Sequence, residues 1–197
     1  ACFKLRAVPI NINFRYVESE LAHLYEDADA VASIVAAEFV DRVPPLHHRL
    51  VIGDDYEAAL ATASPERDFD ERSPDDHYIV YTGGTTGMPK GVVWRQEDIV
   101  LGAMNSMRYG RPLASVDELG EEAKAAAGQL RLMGLGPMMH GGSQWVMGNT
   151  HVAGGAFVLY TGRRFDARDV LELAASSQTT MISTIGDAMA RPIAEAL

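Results

Sequence analysis

Tyr81-Thr82-Gly83-Gly84-Thr85-Thr86-Gly87-Met88-Pro89-Lys90-Gly91 follows directly on an apolar, β-branched run at 79–82 and leads into another at 92–95. Both runs read as strands. The eleven residues between and including their ends hold four glycines, three threonines and one lysine. That composition suits phosphate. Glycines let backbone N–H groups approach an anion without Cβ obstruction, hydroxyls add donors, and a lysine supplies a mobile positive charge. An ordinary Gly-rich turn would account for the glycines, but not for three hydroxyls and a lysine in the same stretch. The stretch is not a Walker A loop. Lys90 is preceded by Pro89, which has no N–H, and followed by Gly91 instead of Ser or Thr. Because a strand is expected next, no helix dipole is available, and a bound phosphate would rest on backbone N–H groups, hydroxyls and Lys90 alone.

Outward from this stretch, short apolar runs alternate with segments of helical period, which assigns the chain to the α/β class with layered βα units. Toward the N-terminus, Val17, Leu21, Leu24, Tyr25 and Ala28 form one apolar stripe, with Glu18, Glu20, Glu26 and Asp27 off it. The runs 31–36 and 50–52 read as buried strands of the parallel type. A polar, acid-rich segment at 63–76 reads as a surface connection. Toward the C-terminus, Val100, Met104 and Met107 predict one face of a helix, and the Glu- and Ala-rich run 119–127 an exposed helix. A strand is expected at 156–160. Asp166 with Asp169 marks the start of a helix carrying Val170, Leu171 and Leu173, and a last strand is expected at 180–185. Asp187 is expected to cap a short turn, and Pro192 to begin a new helical piece.

Composition narrows the classes. With 197 residues, 47% apolar and 22% charged, the chain is globular, neither disordered nor fibrous. Its net charge of −10 and lack of a basic stripe speak against a nucleic-acid partner. Cys2 is the only cysteine, so no intrachain disulfide forms and a reducing, cytoplasmic setting fits. No signal or transit peptide is visible. The stretch 132–162 has no formal charge but holds eight glycines and two histidines, which argues for a buried core and a cleft, not a transmembrane segment. Within it, His140 is either a structural histidine or a site residue. Gly141 and Gly142 either widen a pocket or permit a turn, and Trp145 is either core or a pocket gate. His47 and His48 are adjacent, point apart in an extended chain and make a poor metal pair.

The stretch 81–91 resembles the phosphate-loop signature of the adenylate-forming superfamily, which includes acyl-CoA synthetases, luciferases and the adenylation domains of nonribosomal peptide synthetases. Many members carry Ser or Thr where this chain has Gly83; Thr82, Thr85, Thr86 and Lys90 are retained. Upstream, Ala7-Val8-Pro9-Ile10-Asn11 and Arg15-Tyr16 resemble the segment that precedes this loop in acyl-CoA synthetases. Downstream, Pro137-Met138-Met139-His140 resembles the family's next motif, at the wall between nucleotide and acyl group. Trp94-Arg95-Gln96-Glu97-Asp98-Ile99 and Gly186-Asp187-Ala188-Met189-Ala190-Arg191-Pro192 are similar to strings in actinobacterial fatty-acyl and steroid-side-chain CoA ligases.

The resemblance implies a mostly parallel sheet and ATP-dependent activation of a carboxylic acid through acyl-AMP to acyl-CoA, with ATP, Mg²⁺ and coenzyme A taking part. It implies Thr82, Gly83, Gly84, Thr85, Thr86, Gly87 and Lys90 as nucleotide-binding, Lys90 as catalytic, Thr82 as a Mg²⁺ ligand, and His140, Gly141, Gly142 and Trp145 as lining for a small-molecule acyl substrate. The family's acidic Mg²⁺ ligand, its ribose-binding Asp and the catalytic Lys of its C-terminal domain have no match here. The expectation is therefore an incomplete N-terminal ATP- and acyl-binding domain over 1–197, inactive alone and prone to self-association through uncovered strand edges. The alternatives are a nucleotide- or phosphate-binding module without catalysis, and adenylation of a substrate whose acceptor is not CoA. A phosphotransferase would need a general base or a second acidic metal site near Lys90, which the sequence does not offer.

Overall fold

The structure, a computed structural model, describes residues 2–83, 87–108 and 116–197. It divides into two compact units, Ala1–Trp94 and Arg95–Leu197.

In the first unit the apolar stripe forms helix α1, Glu18–Asp27, whose first turn is closed by the Glu20 carboxylate accepting from the Val17 N–H at 2.9 Å. Leu21 and Leu24 on that stripe are buried with Tyr16 and Tyr81, and Ile10, Ile12 and Ile79 pack around them. Strand β1, Ala32–Ala36, pairs in parallel with β2, His48–Ile52, in the register Ala32↔His48 through Ala36↔Ile52. Helix α2, Asp54–Thr62, then leads into the polar connection and strand β3, His77–Thr82. An Ile10 to Ile79 bridge adds a parallel contact to β3. On the connection, Arg6 clasps Asp76 through Nε and Nη2 at 3.0 and 2.9 Å, and Asp76 also accepts from the Ser73 N–H at 2.9 Å. Strand β4, Lys90–Arg95, is the hydrogen-bonded neighbour of β3. The seven residues 83–89 between them are too few for a parallel crossover, so the pair is a hairpin.

The second unit is built on a parallel sheet in the order β6-β5-β7, with β5 (Arg131–Gly134) between β6 (Ala156–Leu159) and β7 (Met181–Ser183). Helix α6, Ala167–Ser176, is capped by Asp166, whose Oδ1 accepts from the N–H groups of Arg168 and Asp169 at 2.8 and 3.2 Å. Met133 of β5 and Val170 of α6 are completely buried and form a core with Leu135 and with Ile193 of helix α7, Asp187–Ala196. Helix α5, Gly141–Val152, returns to β6 through Gly154, held at φ 73. A Cβ at Gly134 would lie 2.7 Å from Cζ of Phe157 on the paired strand, so that glycine is the seat of the ring. Among the described residues the remaining α-helices are α3, Gln96–Leu101, and α4, Val116–Ala125.

The α/β class and the parallel pairing stand as expected, with the β3–β4 hairpin as the non-parallel element. Four local expectations are corrected. Strands β1 and β2 pair in parallel but are not buried: Val35 alone of their residues is buried, and Ile34 and Ile52 are 62% and 56% exposed. Pro192 lies inside α7: burial of Ile193 and the 2.7 Å Arg191–Asp187 ion pair hold one helix across a position whose missing N–H local rules treat as a break. Val100 and Met104 do not share one helix, because α3 ends at Leu101, Gly102 turns (φ −85, ψ −84), and the chain resumes as a 3₁₀ segment, Ala103–Arg108. The rings of His47 and His48 do not point apart; they meet edge-on with centroids 4.5 Å from each other. No helix among the described residues is long and apolar enough to cross a membrane.

Candidate nucleotide-binding site

The phosphate-loop candidates begin where β3 ends and finish where β4 begins. Thr82 closes β3 and Lys90 opens β4, and both side chains are exposed. Between them Pro89 is fully buried and anchors the approach to β4, while Gly83 and Gly87 are exposed. A Cβ at Gly83 or Gly87 would meet nothing within 4 Å, and neither has a left-handed φ. The fold itself does not need glycine at these two positions. Gly84, Thr85 and Thr86 lie outside the described residues.

Gly91 is different. A Cβ there would press on Tyr81 at 3.0 Å and on Ile79 Cγ2 at 3.1 Å, so the Tyr81 ring occupies the space that a side chain would take. The Tyr81 hydroxyl donates to Asp27 Oδ2 at 2.6 Å. Burial, and then the bond to Asp27, push the Tyr81 phenol well above its ordinary value, so it remains a proton donor. Sequence inspection missed this pair. The partners stand 54 positions apart, and only the apolar packing of α1 against β3 brings them together.

The acyl-site candidates lie in the other unit. His140 occupies the position before α5 (φ −100, ψ 141) and is exposed; Gly141 and Gly142 form the first turn of that helix, the former buried and the latter exposed. The two glycines therefore start a helix. Trp145, half-buried one turn on, accepts at its carbonyl from Asn149 Nδ2 at 2.9 Å. The segment 136–140 is shaped by α5: Gln144 Nε2 donates to the Met138 carbonyl at 3.1 Å, and Gly136 leaves room for the Ser143 hydroxyl and for Ile185, whose Cδ1 would lie 2.7 Å from a Cβ there. Neither Gln144 nor Gly136 has a local sequence signal that would have singled it out. Among the described residues no group of three His, Cys, Asp or Glu side chains could hold a metal ion.

The family of AMP-binding enzymes matches residues 1–195. The chain belongs to that family. Over its whole length it is 39% identical to the 3-oxocholest-4-en-26-oate–CoA ligase of Rhodococcus rhodochrous, and over 99% of it 40% identical to the medium-chain acyl-CoA ligase Mig of Mycobacterium avium. It spans 39% of the length of each of these relatives. Among solved structures, the inhibitor-bound N-terminal domain of FACL13 from Mycobacterium tuberculosis superposes with a TM-score of 0.78 at 23% identity, over 98% of this chain and 46% of that one. The o-succinylbenzoate-CoA synthetase MenE of Bacillus subtilis, in complex with its acyl-adenylate intermediate, gives 0.76 at 21% identity, over 100% of this chain and 47% of that one. At such identities these structures bear on the fold of this AMP-binding chain, the α/β architecture described above.

Proposed function

We propose that this AMP-binding chain supplies the phosphate-binding loop and part of the acyl-binding surface for ATP-dependent activation of a fatty or steroid-side-chain carboxylic acid. A carboxylate oxygen attacks the α-phosphorus of ATP; the bond to the β-phosphate oxygen breaks, pyrophosphate leaves, and acyl-AMP forms. The CoA thiolate then attacks the acyl carbon, the acyl–phosphate bond breaks, and AMP leaves with acyl-CoA as product. The observation that carries this reading is the pair of glycines, Gly83 and Gly87, that the fold does not require, set between the exposed Thr82 hydroxyl and the exposed Lys90 ammonium. A phosphate approaching the backbone is what needs their missing side chains.

Lys90 is assigned the leaving pyrophosphate, where its charge grows more useful as the transition state forms. Together with Gly84, Thr85 and Thr86, these groups are assigned to nucleotide binding. The described residues fit Mg²⁺ only as a companion of ATP: with no acidic cluster to hold it, the ion would rest on phosphate oxygens, with Thr82 Oγ1 as one protein oxygen. When bound it would neutralise phosphate charge. His140, Gly141, Gly142 and Trp145 are assigned to the acyl wall. The fatty and steroid-acid classes rest on the substrates named for the two ligases of 39% and 40% identity.

The test is pyrophosphate release from ATP by the whole enzyme that carries this chain, wild type and Lys90→Ala, with acetate, palmitate and a steroid-side-chain acid. Lys90→Ala is expected to raise the barrier by about 2–4 kcal/mol, the loss typical of one preorganised donor to developing charge. Its unfolding midpoint should stay at the wild-type value, because Lys90 is exposed. Wild-type pyrophosphate release by folded Lys90→Ala overturns the assignment.

A further inference from the structure

Tyr81 joins three elements around the phosphate loop. It belongs to β3, one residue before Thr82; its ring fills the gap left by Gly91 on β4, one residue after Lys90; and its hydroxyl reaches Asp27 at the end of α1. Asp27 sits where helix electrostatics disfavour it. It closes α1 on a last turn with no basic residue, at the negative end of the helix dipole. A carboxylate placed against the dipole needs another partner, and the 2.6 Å bond from Tyr81 provides it. A bond from a largely buried phenol to a carboxylate is of the stronger, charge-assisted kind.

We propose that Tyr81 and Asp27 form a latch that sets the spacing of the two stems of the phosphate loop, making Tyr81 a positioning residue for Thr82 and Lys90. This rests on the assignment of that loop to ATP. Donors to phosphate are effective only when held in place beforehand. The latch does this from outside the loop: α1 is itself fixed by the buried Leu21 and Leu24, and Tyr81 transfers that rigidity to β3 and, through Gly91, to β4. No atom of the latch needs to touch the nucleotide.

The experiment compares wild type, Tyr81→Phe, Asp27→Ala, Asp27→Asn and the Tyr81→Phe/Asp27→Ala double variant by ATP titration calorimetry, urea unfolding and amide exchange at Thr82, Lys90 and Gly91. Asp27 is exposed, so its variants fold even if Tyr81→Phe does not. Tyr81→Phe and Asp27→Ala are each expected to weaken ATP binding by about 3- to 10-fold and to speed exchange at those amides, and the double variant to be no worse than either single. Asp27→Asn keeps an acceptor oxygen and is expected to recover most of the affinity lost in Asp27→Ala. Wild-type affinity and exchange in Asp27→Ala, or a loss of stability with affinity unchanged, overturns the latch. Wild type that binds no ATP overturns the assignment of the loop instead, and exchange at the three amides then decides the latch alone.

Discussion

Two glycines of the second unit respond to the same substitution with opposite sign. Gly154 makes the turn from α5 into β6 at φ 73, a conformation that costs an L-residue about 1–2 kcal/mol. A Cβ there would also overlap the Ala123 carbonyl oxygen and lie 2.8 and 3.0 Å from the Ala123 C and Cα, backbone atoms of α4 that cannot swing aside. Overpacking of this kind adds about 1–3 kcal/mol, so Gly154→Ala is expected to destabilise by about 2–5 kcal/mol. Gly142, second residue of α5, has an ordinary φ, and a Cβ there meets nothing within 4 Å. Alanine there restricts the unfolded chain and favours the helix, so Gly142→Ala is expected to stabilise by about 0.4–1 kcal/mol. Urea unfolding followed by Trp145 fluorescence, in a Trp94→Phe background so that α5 alone reports, separates the two. With slopes of about 2–3 kcal/mol/M for a chain of this length, the Gly154→Ala midpoint should fall by about 1–2 M and the Gly142→Ala midpoint should rise slightly. Equal midpoints for the two variants would refute the steric and conformational reasoning.

At the start of α6, Asp166→Ala leaves the N–H groups of Arg168 and Asp169 without their carboxylate and is expected to cost about 1 kcal/mol, read as a lower unfolding midpoint, with Asp166→Asn close to wild type. The Arg6–Asp76 clasp makes stability pH-dependent: the bond to the Arg6 guanidinium, then that to the Ser73 N–H, holds the Asp76 carboxyl below its ordinary value. A lowered folded-state value means that the contribution is present above the ordinary carboxylate range and fades as pH falls through the folded value. Asp76→Asn should therefore unfold with a flatter acid limb than wild type in midpoint-against-pH scans, and identical limbs would remove the clasp as the cause.

Legibility followed the range over which each signal acts. The loop could be read because its chemistry is contiguous: hydroxyls, glycines and Lys90 fall within eleven residues. Helix α1 was legible from its stripe and α6 from Asp166, both signals confined to a single helix. Helix α5 was not, since a run starting Gly141-Gly142 and holding no charged residue has no polar face to set its period. Helix α2 was missed for the opposite reason: it buries no residue and so writes no apolar stripe. Pro192 was misjudged because a local rule was allowed to outrank the tertiary burial of Ile193. The candidate site divides in the same way. Thr82 and Lys90 could be named in advance, whereas Asp27 and Gln144 act through contacts that no short window contains.

The seat that Gly134 offers to Phe157 also constrains how this sequence can drift. The void on one strand is the volume of the ring on its neighbour, with less than 3 Å between a new Cβ and Cζ or Cε2 of Phe157. A change at either position alone either collides or opens a cavity in the sheet that carries Met133. Descendants of this chain should therefore keep both residues or exchange both. A side chain gained at 134 should appear in lineages that have already traded the ring at 157 for something smaller, so the order of the two replacements on a phylogeny records the packing of the β5–β6 pair.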